Sequence, residues 1–347
     1  MRKIIVVTVA IFSGICLFFF HYLYPQWFGI NVPPGEVPPE KILIVAPHPD
    51  DETLTAAGVI ARSVKQGIPV RVVVVTCGDG FPKAASALTG KRNPGAEDFL
   101  ELGKTRQKEA AAAVKVLGLP EKDLIFLGYP DGALKALWNN YWDDANVYRS
   151  SATKAAGVPY SDAWEPGAPY CGRSLVDALT GIIKDFRPSA VYYPHPGDEH
   201  PDHWATHAFT LYTLAKMNYQ AQEFTYLIHY SYWPEPLFSE PTKPLKPPLE
   251  MTGNGTRWFD VPLTAEEIER KRRALKCYAT QQKVMKPFLA AFIRNTELFN
   301  ASPVPPVPVL TETPASLPIP ELEAALAGIW SKSNLNQPPF WLRNVPT

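Results

Sequence analysis

Ile42-Leu43-Ile44-Val45-Ala46 is an unbroken apolar run, and Pro47-His48-Pro49-Asp50-Asp51-Glu52 follows it directly. A run this short and this apolar predicts a strand over 41–46, buried on both faces as in a parallel sheet. The pattern over 53–65 predicts a helix. An imidazole and two adjacent carboxylates thus stand where a strand ends and a helix begins, the place where open α/β sheets bind ligands.

The same alternation continues along the chain. Val70-Arg71-Val72-Val73-Val74-Val75-Thr76 is a nearly continuous β-branched strand, and 104–117, with its run of alanines, is helical up to Gly118. Further strands are expected at 124–127, 190–193 and 224–232. Further helices are expected at 173–186, 203–217 and 264–280. Strands alternating with helices predict an α/β fold, a doubly wound, mainly parallel, Rossmann-like sheet with helices on both faces. The domain is expected to occupy 39–300. A Pro/Gly-containing linker precedes it at 26–38, and a Pro-rich extension follows at 301–347, with one candidate helix at 320–332.

Lysine plus arginine and aspartate plus glutamate each total 34, so the chain has no net charge. This argues against a nucleic-acid binder, which needs a basic surface. The cysteines Cys16, Cys77, Cys171 and Cys277 form no C-x-x-C pair, against a cysteine zinc knuckle or a thioredoxin-type motif. No G-x-G-x-x-G follows the first strand, and neither a P-loop nor a G-x-S-x-G elbow occurs.

Arg2-Lys3 precede an apolar stretch over 4–20 that ends in an aromatic cluster through Phe28. About 20 apolar residues cross a bilayer, and aromatic residues favour its interface. Residues 1–25 are therefore read as an uncleaved membrane anchor, contacting the membrane through residues 4–24. A cleaved signal peptide, giving a secreted protein, is the competing reading. Positive charge only before the span places the main domain outside the cytoplasm.

Four of the seven histidines, His195, His200, His203 and His207, follow the strand at 190–193. In a doubly wound sheet they share an edge with His48. His48 and Asp51, three apart at a helix start, can face one point and offer a transition-metal ion two ligands. One more histidine completes three and leaves a position for water. His200/His203 and His203/His207 are both helical-face pairs, so spacing leaves the third ligand open, with His203 common to both. A cation in such a set brings the pKa of bound water towards ~7, and Asp50 is the natural carboxylate to take its proton. The competing reading of this segment is an ordinary capped helix start, with Asp50 or Asp51 as the cap. His195 and His207 are read as structural.

Taken together, Pro47-His48-Pro49-Asp50-Asp51-Glu52 and His200-Pro201-Asp202-His203 resemble the two motifs of the PIG-L/LmbE-like family of metal-dependent de-N-acetylases. Arg106 and Glu109 before Val116-Leu117-Gly118, the loop Leu127-Gly128-Tyr129-Pro130-Asp131-Gly132, and His195-Pro196 with Asp198 extend the resemblance. It continues more loosely through 271–281 and 288–299. The resemblance implies that His48, Asp51 and His203 bind zinc or another divalent transition metal and that Asp50 is the general base. It also implies that His200 stabilises the oxyanion or protonates the leaving amine, that Asp202 supports His200, and that Arg106 and Asp131 contact sugar hydroxyls. Gly78-Asp79 stands where the family often has Gly-Glu, which leaves a role for Asp79 open. The implied reaction is removal of an N-acetyl group from an N-acetylglucosamine-type glycoconjugate. An amidase or esterase on a non-sugar conjugate and a non-catalytic glycan-binding module are the alternatives. The aromatic-rich stretch 138–170, with Trp138 and Trp142, has two readings: a lid that stacks on sugar rings, or packing of an irregular loop.

Overall fold

The computed structural model describes residues 39–252 and 256–301. The expected anchor, the linker and nearly all of the C-terminal extension lie outside these residues. Among the described residues no helix is long and apolar enough to cross a membrane.

A seven-stranded sheet organises the chain in the order β3-β2-β1-β4-β5-β7-β6. Its strands are β1 (Ile42–Ala46), β2 (Val70–Thr76), β3 (Leu124–Tyr129), β4 (Ala190–Pro194), β5 (Gln222–Tyr226), β6 (Trp258–Pro262) and β7 (Thr296–Asn300). The first five pair in parallel, whereas β7 runs antiparallel to both β5 and β6. The helices are α1 (Asp51–Lys65), α2 (Pro82–Thr89), α3 (Ala96–Leu117), α4 (Leu134–Asn139), α5 (Gly172–Phe186), α6 (Pro201–Lys216), α7 (Ala265–Leu275) and α8 (Ala279–Ala291).

β1 is the pivot. All five of its residues are fully buried, because β2 and β4 pair with its two edges and helices, α1 and α6 among them, pack against it. Burying each large aliphatic side chain of this strand contributes about 1.5–3 kcal/mol. Ile44 is in register with Val72 on one side and Tyr192 on the other. The segments that leave β1 and β4 therefore emerge side by side at the point where strand order reverses. That crevice is the expected ligand position of a doubly wound sheet.

Several boundaries differ from expectation. The expected strand over 224–232 is β5 followed by irregular chain, with one isolated bridge from Tyr230 to Trp233. The helix expected over 264–280 is two helices, α7 and α8, because the chain turns between Leu275 and Ala279. The helix expected from 104 starts at Ala96. The antiparallel pair β6–β7 was not anticipated.

α1 is broken inside. Ala56 leaves helical geometry (φ −130°, ψ 18°), and the amides of Gly58 and Val59 donate to the two oxygens of Glu297 at 2.8 and 3.0 Å. Glu297 also holds Lys271 Nζ at 3.1 Å, with both side chains fully buried. A Cβ on Gly58 would lie 2.2 Å from Leu263 Cδ2 and 3.2 Å from Glu297 Oε2, so a larger residue there would have to displace the Leu263 side chain. Arg62 completes the junction by pairing with Glu267 through two nitrogens, at 2.8 and 2.7 Å.

Candidate active site

Three donor atoms meet at the crevice. His48 Nδ1 lies 3.2 Å from Asp51 Oδ2, His203 Nε2 lies 3.2 Å from the same oxygen, and the two nitrogens are 3.3 Å apart. A tetrahedral ion bound at about 2.0–2.1 Å has ligand atoms about 3.3–3.4 Å apart. The triangle therefore fits one face of a zinc-sized tetrahedron. Donor atoms of His48, His200 and His203 also lie within 4.8 Å of one another, as do those of His48, Asp131 and Asp202.

Each imidazole of the triangle has a carboxylate behind it. His48 Nε2 faces Asp131 Oδ1 at 3.1 Å and Asp202 Oδ2 at 3.4 Å. His203 Nδ1 faces Asp198 Oδ2 at 3.1 Å. Such partners fix ring orientation and tautomer, leaving Nδ1 of His48 and Nε2 of His203 for a metal. Burial disfavours charge on His203, but Asp198 and Asp51 outweigh it and bring its pKa up to about 9. Burial alone would raise Asp51. His203 and His48 reverse that and hold it well below the usual carboxylate range. Asp198, brought down to about 2 against its burial by His203, also accepts the amides of His200, Ile228 and His229. The sequence motifs gave Asp198 no role, although its position five residues before His203 was the available signal.

Asp50 stands at the N-cap position of α1, yet its side chain makes no capping bond. This removes the plain capped-helix reading for that residue. Its backbone is at φ +120°, where a non-glycine residue costs on the order of 1–3 kcal/mol. Burial pushes its carboxyl up to about 8, against the pull of Arg106. The Arg106 guanidinium lies 3.5 Å away and spends its closer bonds on Pro49 O (2.8 Å) and Gly78 O (3.0 Å). Arg106 thus lines the cavity while tying together two of its loops. A Cβ on Gly78, itself at φ +62°, would sit 1.9 Å from that guanidinium.

The remaining expected residues fall around the same cavity, of about 330 Å³, whose lining includes His48, Asp50, Arg106, Asp131, His200 and His229. Asp131 accepts Gly80 N at 2.7 Å through the oxygen that does not face His48. Burial raises its carboxyl, but His48 and Arg106 hold it well below the usual range. His200 caps α6 and is brought down to about 4 by burial and by its neighbours His48 and His203. Asp202 departs from expectation. Its carboxylate does not support His200 but accepts Gly132 N (2.6 Å) and Leu134 N (3.0 Å) and faces His48. Only its amide meets His200, at Nδ1 and 3.3 Å. The reason is geometric: as the second residue of α6, Asp202 points towards the start of α4, away from the ring that caps the helix.

His207 gives Nδ1 to Pro194 O at 2.9 Å and lies off the triangle. The lid reading of Trp138 and Trp142 is overturned. Both are buried and edge-on to each other and to Tyr212 of α6, Trp138 is edge-on to Phe209 while Trp142 stacks on it, and neither lines the cavity. The unanticipated wall comes from His229 and α8. His229 stacks on Phe288 at 5.2 Å and 9°, with its ring 5.0 Å from His200 and 4.8 Å from His203.

Residues 43–214 match the family described as PIG-L, GlcNAc-PI de-N-acetylase. This chain carries a PIG-L (LmbE-like) family domain. Among curated proteins it is similar to the 1D-myo-inositol 2-acetamido-2-deoxy-alpha-D-glucopyranoside deacetylase of Mycobacterium sp. (strain KMS), 30% identical over 190 residues, 54% of each chain. The protein of the same name from Nocardia farcinica (strain IFM 10152) is 35% identical over 177 residues, 49% of this chain and 50% of that one. The chain thus spans about half the length of these curated relatives. Among solved structures it is similar to N,N'-diacetylchitobiose deacetylase from Pyrococcus horikoshii, with TM-score 0.46, 19% identity and 83% and 91% of the two chains covered.

Proposed function

We propose that this protein is a metal-dependent hydrolase that removes the N-acetyl group from an N-acetylglucosamine-type unit of a glycoconjugate or oligosaccharide. The observation that carries the reading is the triangle of His48 Nδ1, Asp51 Oδ2 and His203 Nε2 at 3.2–3.3 Å, with Asp50 beside it in the same cavity. The PIG-L domain and the names of its relatives support the bond and the sugar.

His48, Asp51 and His203 would hold zinc, or another divalent transition metal that accepts the same donors. When bound, the metal supplies a Lewis acid that polarises the acetamide and acidifies water. Asp50 takes the proton of the attacking water. His200, on the cavity wall, donates to the oxygen or nitrogen on which charge develops, and electrostatic stabilisation of this kind often contributes most to catalysis. Asp131 and Arg106 form the polar wall on which sugar hydroxyls rest. Asp131, Asp202 and Asp198 hold the two imidazoles in the tautomers the metal needs. Residues 4–24 anchor this domain on the outer side of a membrane, which fractionation of the full chain tests.

Acetate release from N-acetylglucosamine oligomers, with metal content measured on the same sample, tests the function. Chelation is expected to abolish release and added zinc to restore it. Bound metal without acetate points to a different amide or ester. Glycan affinity without metal points to a binding module.

A further inference from the structure

The strained backbone of Asp50 has a specific support, and its last member lies outside the matched domain. Asp50 N donates to Glu52 Oε2 at 3.1 Å. The other oxygen of Glu52 accepts Thr53 Oγ1 at 2.6 Å and the hydroxyl of Tyr278. Thr53 Oγ1 and Tyr278 OH are themselves 3.1 Å apart. Glu52 is fully buried, and among the described residues no lysine or arginine pairs with it. One amide and two hydroxyls are its partners. A buried carboxylate held only by neutral donors is sensitive to losing any one of them. Tyr278 sits in the turn between α7 and α8, fully buried, and is the one member of this chain of contacts that comes from a distant part of the sequence.

We propose that Tyr278 is a positioning residue for Asp50. Its hydroxyl fixes the Glu52 carboxylate, and that carboxylate holds the Asp50 amide at φ +120°, which aims the Asp50 side chain into the cavity. The proposal rests on Asp50 being the general base. It adds that the segment beyond residue 214 sets the angle of that base although it supplies neither the base nor a donor of the triangle.

The test compares wild type, Tyr278→Phe and Tyr219→Phe, the last removing a hydroxyl bonded to Pro188 O away from the cavity. Zinc content and thermal melting are measured on each protein. A misplacement of about 1 Å costs on the order of 10²-fold. Tyr278→Phe is therefore expected to lower kcat for acetate release about 10- to 100-fold, with KM and bound zinc unchanged and Tyr219→Phe at the wild-type rate. Glu52→Gln is expected to give a similar loss, and the double variant no more than the larger single loss, since both break one chain of contacts. Hydrogen exchange at the Asp50 amide reads the same support without substrate: it is expected to be slow in wild type and faster in Tyr278→Phe. If Tyr278→Phe fails to fold, Thr53→Ala, which removes the second hydroxyl on the same oxygen, replaces it. A kcat within about twofold of wild type, a loss that tracks bound zinc, or unchanged exchange at Asp50 overturns the proposal. A wild-type protein that releases no acetate overturns the deacetylase reading instead, and the exchange measurement still decides the role of Tyr278.

Discussion

The parallel half of the molecule, β1 to β5, and the antiparallel unit of β6, β7, α7 and α8 divide the work unequally. The first supplies every donor of the proposed metal triangle and the proposed base, from the segment between β1 and α1 and from the first turns of α1 and α6. The second supplies supports: Glu297 on the broken amides of α1, Tyr278 on Glu52, Thr280 on Glu109. α1 is where the two meet, because its first turn carries Asp50 and Asp51 and its later turns carry the contacts with α7 and β7. Local motif residues can thus set the chemistry while residues far along the chain set the geometry.

The largest effect should come from the first region. Asp50→Asn keeps size and burial but removes the proton acceptor. It is expected to lower kcat about 10²- to 10⁴-fold while bound metal, measured by elemental analysis, stays at the wild-type level. A wild-type rate would remove Asp50 from the mechanism. The second region should answer in stability. Glu297→Ala leaves Lys271 buried without its partner and two amides without acceptors. Denaturant unfolding is expected to show a loss of about 3–5 kcal/mol, and adding Lys271→Met should recover part of it. If Glu297→Ala instead left stability intact, the division between chemistry and support would fail.

Much of the first region was legible in the sequence. β1 and β2 are apolar or β-branched runs, and two short motifs at strand ends identify the edge on which His48, Asp51 and His203 meet. The second region hid for physical reasons. Thr296-Glu297-Leu298-Phe299-Asn300 carries a charge in a fully buried strand, a pattern that reads as a strand only once Lys271 is known to neutralise it. His229 is a lone histidine past the end of β5, and nothing local says that it turns towards His200. The support of His200 by Asp202 came from the family resemblance alone, whereas the Asp202 carboxylate reaches across to the start of α4 and to His48. Trp138 and Trp142 left packing and a lid equally open in the sequence, because an aromatic side chain suits a core and a sugar face alike, and their burial against α6 decides between the two.

A smaller difference separates two buried carboxylates, one in each region. Glu297 has a cation. Asp79 has Tyr160 OH as its side-chain hydrogen-bond partner, and burial, together with the charge of Asp131, pushes its pKa from 3.8 up to about 7. The folded state therefore holds a proton on Asp79 that the unfolded chain releases above about pH 4. Stability from this group is complete below that pH and is lost as pH rises through about 7. The loss is on the order of 2–4 kcal/mol. Unfolding free energies measured between about pH 4 and 8 should fall more steeply in wild type than in Asp79→Asn. Equal slopes would mean that Asp79 is ionised in the folded protein.

The finest test stays within the first region and asks whether support there, too, is separable from ligation. Asp198 does not line the cavity, but it holds His203 Nδ1 and gathers three amides. Asp198→Asn preserves the shape and keeps one acceptor oxygen, so the fold should survive. His203 loses the negative partner that orients its ring and raises its basicity. Zinc affinity, measured by competition with a chromophoric chelator, is expected to weaken about 10- to 100-fold, and activity at saturating zinc should return most of the way. Loss of activity that saturating zinc does not restore would mean that Asp198 acts on the chemistry itself, and the contrast between donors and their supports would have to be redrawn inside the parallel half.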